Sequence, residues 1–233
     1  MVMDIASSQN YLEKLQDIYP DKDYESLRLN QPDAFNYEVR RLLTGPSLFK
    51  LVDKKLCKPG IDNDIYERNC LKIIKETMKN DFSGSVPNHH PQNLNRGKGS
   101  KVRDITLEIT NHDPHSRWGK IITDHFIRGS GSIVFECKNY SKEPQIPKTH
   151  IYQLYQYLNP YEFGKLGIIL SRYGRSQLSL GAQEVISRLK LDGYRILIFG
   201  DKEMGEWIDE YVKTGRSEGF FHSQVGKSRS YFK

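Results

Sequence analysis

Cysteine is scarce in this chain, and what there is does not pair. Cys57, Cys70 and Cys137 are an odd number with no C-x-x-C spacing, so neither a disulfide framework nor a structural zinc site is expected, and a reducing compartment suits the thiols. Apolar residues are few as well, at 37%, and no run approaches the ~18 consecutive apolar residues of a membrane span. The start "MVMDIASSQN" carries Asp4 where a signal peptide needs an apolar stretch. A cytoplasmic protein with no membrane partner is therefore expected. No internal repeat is visible. Positive charge is in slight excess, with 35 Lys and Arg against 29 Asp and Glu, a net +6. These residues are spread along the chain rather than confined to a tail, which favours a partner that carries phosphates.

The pattern divides the chain into three. Residues 1–60 read as a helical accessory segment in polar pieces, "SSQNYLEKLQDIY", "DAFNYEVRRLL" and "SLFKLVDKKL". Ser8 is a candidate cap for the first, and Gly45-Pro46 breaks the second from the third. In residues 61–215 helices and strands alternate. "DNDIYERNCLKIIKETMKNDF" has a helical period at Tyr66, Cys70, Ile73, Ile74 and Met78, and "SGSVPNHHPQNLNRGKGSK" reads as an exposed loop. "KVRDITLEIT" is a strand, "SRWGKIITDHFI" a helix, and "SIVFECKNY" a second strand. Helix "PKTHIYQLYQYL", strand "KLGIILSR", helix "LGAQEVISRLK", strand "YRILIFG" and helix "KEMGEWIDEYVK" complete the series. Alternation with continuously apolar later strands predicts an α/β sheet covered by helices. Residues 216–233 read as a basic, aromatic tail with no assigned element.

The chemistry concentrates where a strand ends in charge. Glu136-Cys137-Lys138 is the sole E-x-K in the chain, and the sole D-x-K, Asp53-Lys54-Lys55, follows no strand. The two-residue period of a strand sends Glu136 and Lys138 to one face and Cys137 to the other. Asp104, 32 residues earlier at the start of another strand, joins them if the two strands are neighbours. Two carboxylates and a backbone carbonyl, that of Cys137, make a hard, all-oxygen set suited to Mg²⁺. Such an ion polarises a phosphate oxygen and acidifies bound water, with Lys138 beside it to orient that water or offset developing charge. An ion pair closing a strand is the plainer explanation for Glu136 and Lys138.

The ordered blocks "VRDITLEI", "IVFECKNYS", "IYQLYQYL" and "GKLGIILSR" resemble the PD-(D/E)xK, restriction-endonuclease-like nuclease superfamily, and "ECKNY" is similar to its Mrr-type prokaryotic restriction branch. The resemblance runs from about Asp62 to Arg172, roughly half the chain. It implies a core of helix, antiparallel strands, helix and strand, with a central mixed sheet flanked by helices. It further implies Mg²⁺-dependent cleavage of DNA, with Mn²⁺ as a substitute ion, in restriction or defence. Asp104 and Glu136 would then be the metal ligands and Lys138 the catalytic lysine. Gln153 matches a supporting glutamine of the following helix, with Gln156 a weaker candidate, and Glu67 resembles a helix glutamate that some members add to the metal site. A homodimer and a defence-system partner protein are compatible with such an enzyme. The alternatives are a structure-selective repair or junction-resolving nuclease and a DNA-binding module without catalysis.

Some features depart from that pattern. Arg103 stands where the family often has Pro before its aspartate, and no clear first strand is visible in the 83–100 loop, so Asp113 and Asp124 are substitutes for Asp104. His112, His115 and His125 lack the H-x-H or H-E-x-x-H spacing of a histidine-metal site. For contact with the DNA backbone, the candidates are Arg96, Lys98 and Lys101 with Asn95 in the glycine-containing loop, and Arg172 and Arg175 after the "GIILS" strand.

Overall fold

The structure is a computed structural model, and it describes residues 5–82, 85–89, 104–109, 113–125, 131–141, 146–158 and 163–229. The N-terminal segment is helical: α1 (Ile5–Ile18), α2 (Tyr24–Asn30), α3 (Pro32–Val39) and α4 (Gly45–Leu51). Leu12, Leu15, Tyr24, Phe35 and Val39 form a small apolar cluster of their own. Ser8 lies inside α1 rather than capping it. Gly45-Pro46 does not break the chain either. A π turn over Arg40–Thr44 carries α3 into α4, with the Gly45 N–H donating to the Arg40 carbonyl five residues back. Pro46 has no N–H to place and sits in the first turn of α4. Glycine is required at 45 because a Cβ would lie 2.7 Å from Val212 Cγ2.

Helix α5 (Asn63–Met78) opens the α/β core and buries Tyr66, Cys70, Ile73, Ile74 and Met78, the apolar stripe read from the sequence. Then come β1 (Asn88–His89), β2 (Ile105–Glu108), α6 (Arg117–His125), β3 (Ser132–Lys138) and α7 (Lys148–Tyr157). The series ends with β4 (Leu166–Ser171), α8 (Leu180–Leu191), β5 (Arg195–Phe199), α9 (Asp201–Thr214) and α10 (Glu218–Ser228). The sheet runs β1-β2-β3-β4-β5. Its first three strands are antiparallel, and β3, β4 and β5 are parallel. Helix α5, antiparallel strands, α7 and then β4 follow the order expected from the sequence, with the mixed sheet between helices. The first strand, hard to see in the sequence, has two described residues.

Alternation assigns the two faces. Ile105 and Leu107 of β2, Ile133, Phe135 and Cys137 of β3, Leu166, Ile168 and Leu170 of β4, and Leu197 and Phe199 of β5 share one core. Helices α5, α6, α9 and α10 close that side. Val134, Ile169, Ile196 and Ile198 point the other way, under α7 and α8. Both crossover helices lie on that one face, as right-handed β-α-β connections in one direction along a sheet require. Every residue of β4 is buried, the expected state of a central parallel strand.

The segment 216–233, which had no assigned element, contributes α10 to the core. Phe221 is fully buried, with its ring centroid 4.9 Å from those of Trp118 and Trp207. The described end of the chain is therefore a packed helix as far as Ser228 rather than a tail.

Candidate functional site

The antiparallel register builds the site. Ile105 pairs with Phe135, so one step further along both strands sets Asp104 opposite Glu136. Asp104 is 4% exposed. Its Oδ2 accepts the backbone N–H of Cys137 at 2.7 Å, which ties the two strand ends together. In a strand the N–H and C=O of one residue point to the same edge, so the Cys137 carbonyl faces this edge too.

Glu136 and Lys138 share a face, as alternation requires. Lys138 Nζ donates to Glu136 Oε1 at 2.5 Å. Glu136 is 1% exposed, and its second oxygen, Oε2, has no hydrogen-bond partner among the described residues. Burial and then the neighbouring Asp104 charge push the Glu136 carboxyl up to about 7, against the opposing pull of Lys138. For Lys138, burial acts to lower the pKa, but Glu136 and Asp104 outweigh it and hold the ammonium above its usual range. Lys138 is thus a fixed cation beside two carboxylates.

Glu67, half-buried on α5, adds its charge to those that raise Glu136. Among the described residues, no group of three or more His, Cys, Asp and Glu side chains is placed to hold a metal ion. The oxygen donors brought together are those of Asp104 and Glu136, with the Cys137 carbonyl beside them. Such a sparse protein set suits Mg²⁺, which keeps several of its waters.

Helix α7 covers this face and brings Gln153 together with residues that the sequence did not single out. Gln153 Nε2 donates to the Tyr157 hydroxyl at 3.0 Å. Burial raises the Tyr157 phenol, and the charges of Glu136, Asp104 and Lys138 reach it. Gln153 therefore meets the site through Tyr157, while Gln156 is exposed. The Tyr140 hydroxyl bonds His150 Nδ1, and their rings lie 9° from parallel. Burial and then Lys138 hold the His150 imidazole below its ordinary value. Tyr140 follows the lysine by two residues and His150 opens α7, but only the crossover packing shows that they meet.

Other expectations are corrected. Arg172 is not available to DNA: its side chain is 0% exposed. Its guanidinium donates to the carbonyls of Val52 and Cys57, to Asn139 Oδ1 and to Asp201 Oδ1 at 2.7–3.3 Å, over the Tyr66 ring. Separate chain segments converge on that one planar group, which is why it is buried. Arg175 is exposed on a 3₁₀ turn, Gly174–Gln177. Asp113 makes the turn before α6, accepting the His115 N–H, and Asp124 pairs with Arg229. Neither substitutes for Asp104. His125 is buried, and burial lowers its pKa to about 4. Asn95, Arg96, Lys98, Lys101 and His112 lie outside the described residues.

No family model matches this chain. No curated protein matches it. Among solved structures, the restriction endonuclease FokI bound to DNA superposes with a TM-score of 0.46 at 12% identity, over 87% of this chain and 33% of that one. This chain thus spans about a third of that enzyme's length. So loose a superposition carries no weight, and the site rests on the chain's own geometry.

Proposed function

We propose that this protein is a Mg²⁺-dependent endodeoxyribonuclease that hydrolyses DNA phosphodiester bonds at Asp104, Glu136 and Lys138, in the setting of prokaryotic restriction or defence. The supporting observation is the buried Oε2 of Glu136, without a hydrogen-bond partner among the described residues, beside a second buried carboxylate. Lys138 balances one of the two buried carboxylates, and burying the second uncompensated is costly unless a further cation joins them. Asp104, Glu136 and the Cys137 carbonyl would hold Mg²⁺, or Mn²⁺ in its place, supplying an acidified water and a polarised phosphate oxygen. Lys138, held protonated, is suited to neutralise charge that develops on a phosphate oxygen and unsuited to act as a base. Gln153 and Tyr157 form a polar wall on the α7 side, and Glu67 a third negative charge at its margin.

The test is plasmid nicking by the wild-type protein and by Lys138→Ala, with Mg²⁺ or with EDTA. Cleavage by wild type in Mg²⁺ alone is expected. Equal nicking by both proteins, or cleavage that survives EDTA, would overturn the mechanism. DNA binding without cleavage or metal binding would favour the non-catalytic module.

Proton linkage gives an independent check. Between pH 4.5, the ordinary Glu value, and about 7, the folded chain keeps a proton on Glu136 that the unfolded chain releases. That contribution to stability is full below the unfolded value and is lost as pH rises through the folded one. Mg²⁺ needs the carboxylate, so its binding must expel that proton, and affinity should rise towards tenfold per pH unit below about 7. Calorimetry in buffers of different ionisation enthalpy would show proton release at pH 6.5. Pure Mg²⁺ binding with no pH dependence from 6 to 8 would contradict the assignment.

A further inference from the structure

A second feature lies away from the carboxylates, where the helical N-terminal segment meets the core. A cleft of about 730 Å³ is lined by α1, the π turn, α4 and α5. Its rim carries Lys14, Lys50, Lys72 and Lys75. All four are exposed, and none of their ammonium groups has a hydrogen bond or ion pair with a described residue. The acid among them, Glu76, is already engaged, accepting from Lys79 and from the Tyr211 hydroxyl. The floor is apolar, built from Leu42, Leu43 and Leu51 with the Tyr11 ring, and Thr44 and Ser47 add hydroxyls.

We propose that this cleft is a second nucleic-acid site, which takes a short single-stranded nucleotide segment. The four ammonium groups supply point charges for phosphates, and the leucines and Tyr11 offer apolar surface to base faces. Basic rims around stacking floors are how proteins hold single strands without reading sequence. The volume falls within the range of small-ligand clefts, about 300–1,000 Å³, which suits one or two nucleotides rather than a duplex. Alternating phosphates and flat apolar bases match both halves of the lining at once. A free nucleoside polyphosphate shares that chemistry. The inference does not depend on cleavage, and its readout is binding alone.

The experiment is fluorescence anisotropy of a labelled eight-residue oligothymidylate in EDTA, across a salt series. Lys50→Glu with Lys72→Glu should weaken binding at least tenfold and reduce the salt slope by about 1.4, two contacts at ~0.7 each. Lys202→Glu with Lys213→Glu, an equal charge change at exposed positions of α9 outside the cleft, should cost less than about threefold. EDTA withholds the metal that the nuclease reading requires, so this result stands apart from any failure of that reading. Displacement by ATP at similar concentration would support the chemistry of the cleft and make a free nucleotide its source. Equal losses in both double variants would overturn the proposal. So would cleft-dependent binding of an acidic amphipathic peptide in place of the oligonucleotide.

Discussion

Asp104→Asn should abolish plasmid cleavage while raising the melting temperature of the metal-free protein. Above about pH 7, where Glu136 is ionised, two buried carboxylates of the wild type face one ammonium, an excess of one negative charge. The asparagine removes that excess and leaves Glu136 and Lys138 balanced. Its amide oxygen can still accept the Cys137 N–H that Asp104 now takes at 2.7 Å. Relief of roughly 1–2 kcal/mol would raise Tm by about 2–8 °C for a chain of this size. Loss of a metal-ligating charge is worth several kcal/mol at the transition state, at least about 10³-fold in rate. Thermal melts in EDTA and single-turnover cleavage in Mg²⁺ measure the two effects. Wild-type cleavage by Asp104→Asn would remove this residue from the site. A lower melting temperature would mean that the carboxylates are not strained against each other.

The second large effect is structural. Arg172→Ala should destabilise the fold by about 3–5 kcal/mol, the cost of breaking a buried, hydrogen-bonded charge network. It strands the carbonyls of Val52 and Cys57, Asn139 Oδ1 and part of Asp201. A fall in Tm of about 10 °C follows. Arg172→Lys should recover little of it, since one ammonium cannot reach acceptors arranged around a planar fork. Because Asn139 directly follows Lys138, cleavage should fall as well at temperatures where the variant stays folded. A Tm within about 2 °C of wild type, by the same ~2–4 °C per kcal/mol scale, would show that the network contributes nothing.

The site was legible in sequence to the extent that it depends on strand alternation. Glu136 and Lys138 share a face because their spacing is two, and Asp104 meets them because "ITLE" pairs antiparallel with "SIVF" one step away. Tyr140, His150 and Tyr157 were not legible, because their approach depends on how α7 packs over the sheet. Arg172 misled for a physical reason. A charge just after an apolar strand reads as exposed, and nothing local reveals that the 52–57 segment and Asn139 converge on it. Helix α10 was missed because "EGFFHSQVGKS" buries Phe220, Phe221, Gln224 and Val225 with little contrast between its faces. Gly45-Pro46 read as a break because a π turn can absorb it, and a π turn has no signature in composition.

The bond from the Cys137 amide to Asp104 has a spectroscopic consequence. Where β2 ends, a carboxylate takes the place of the next backbone carbonyl and supplies the last rung of the β2–β3 ladder. One amide proton therefore senses both the sheet and the ionisation of the site. Its resonance and its exchange with solvent deuterium should respond when Asp104 gains a proton or a cation, while the amides of Ile133 and Phe135, bonded within the ladder, stay still.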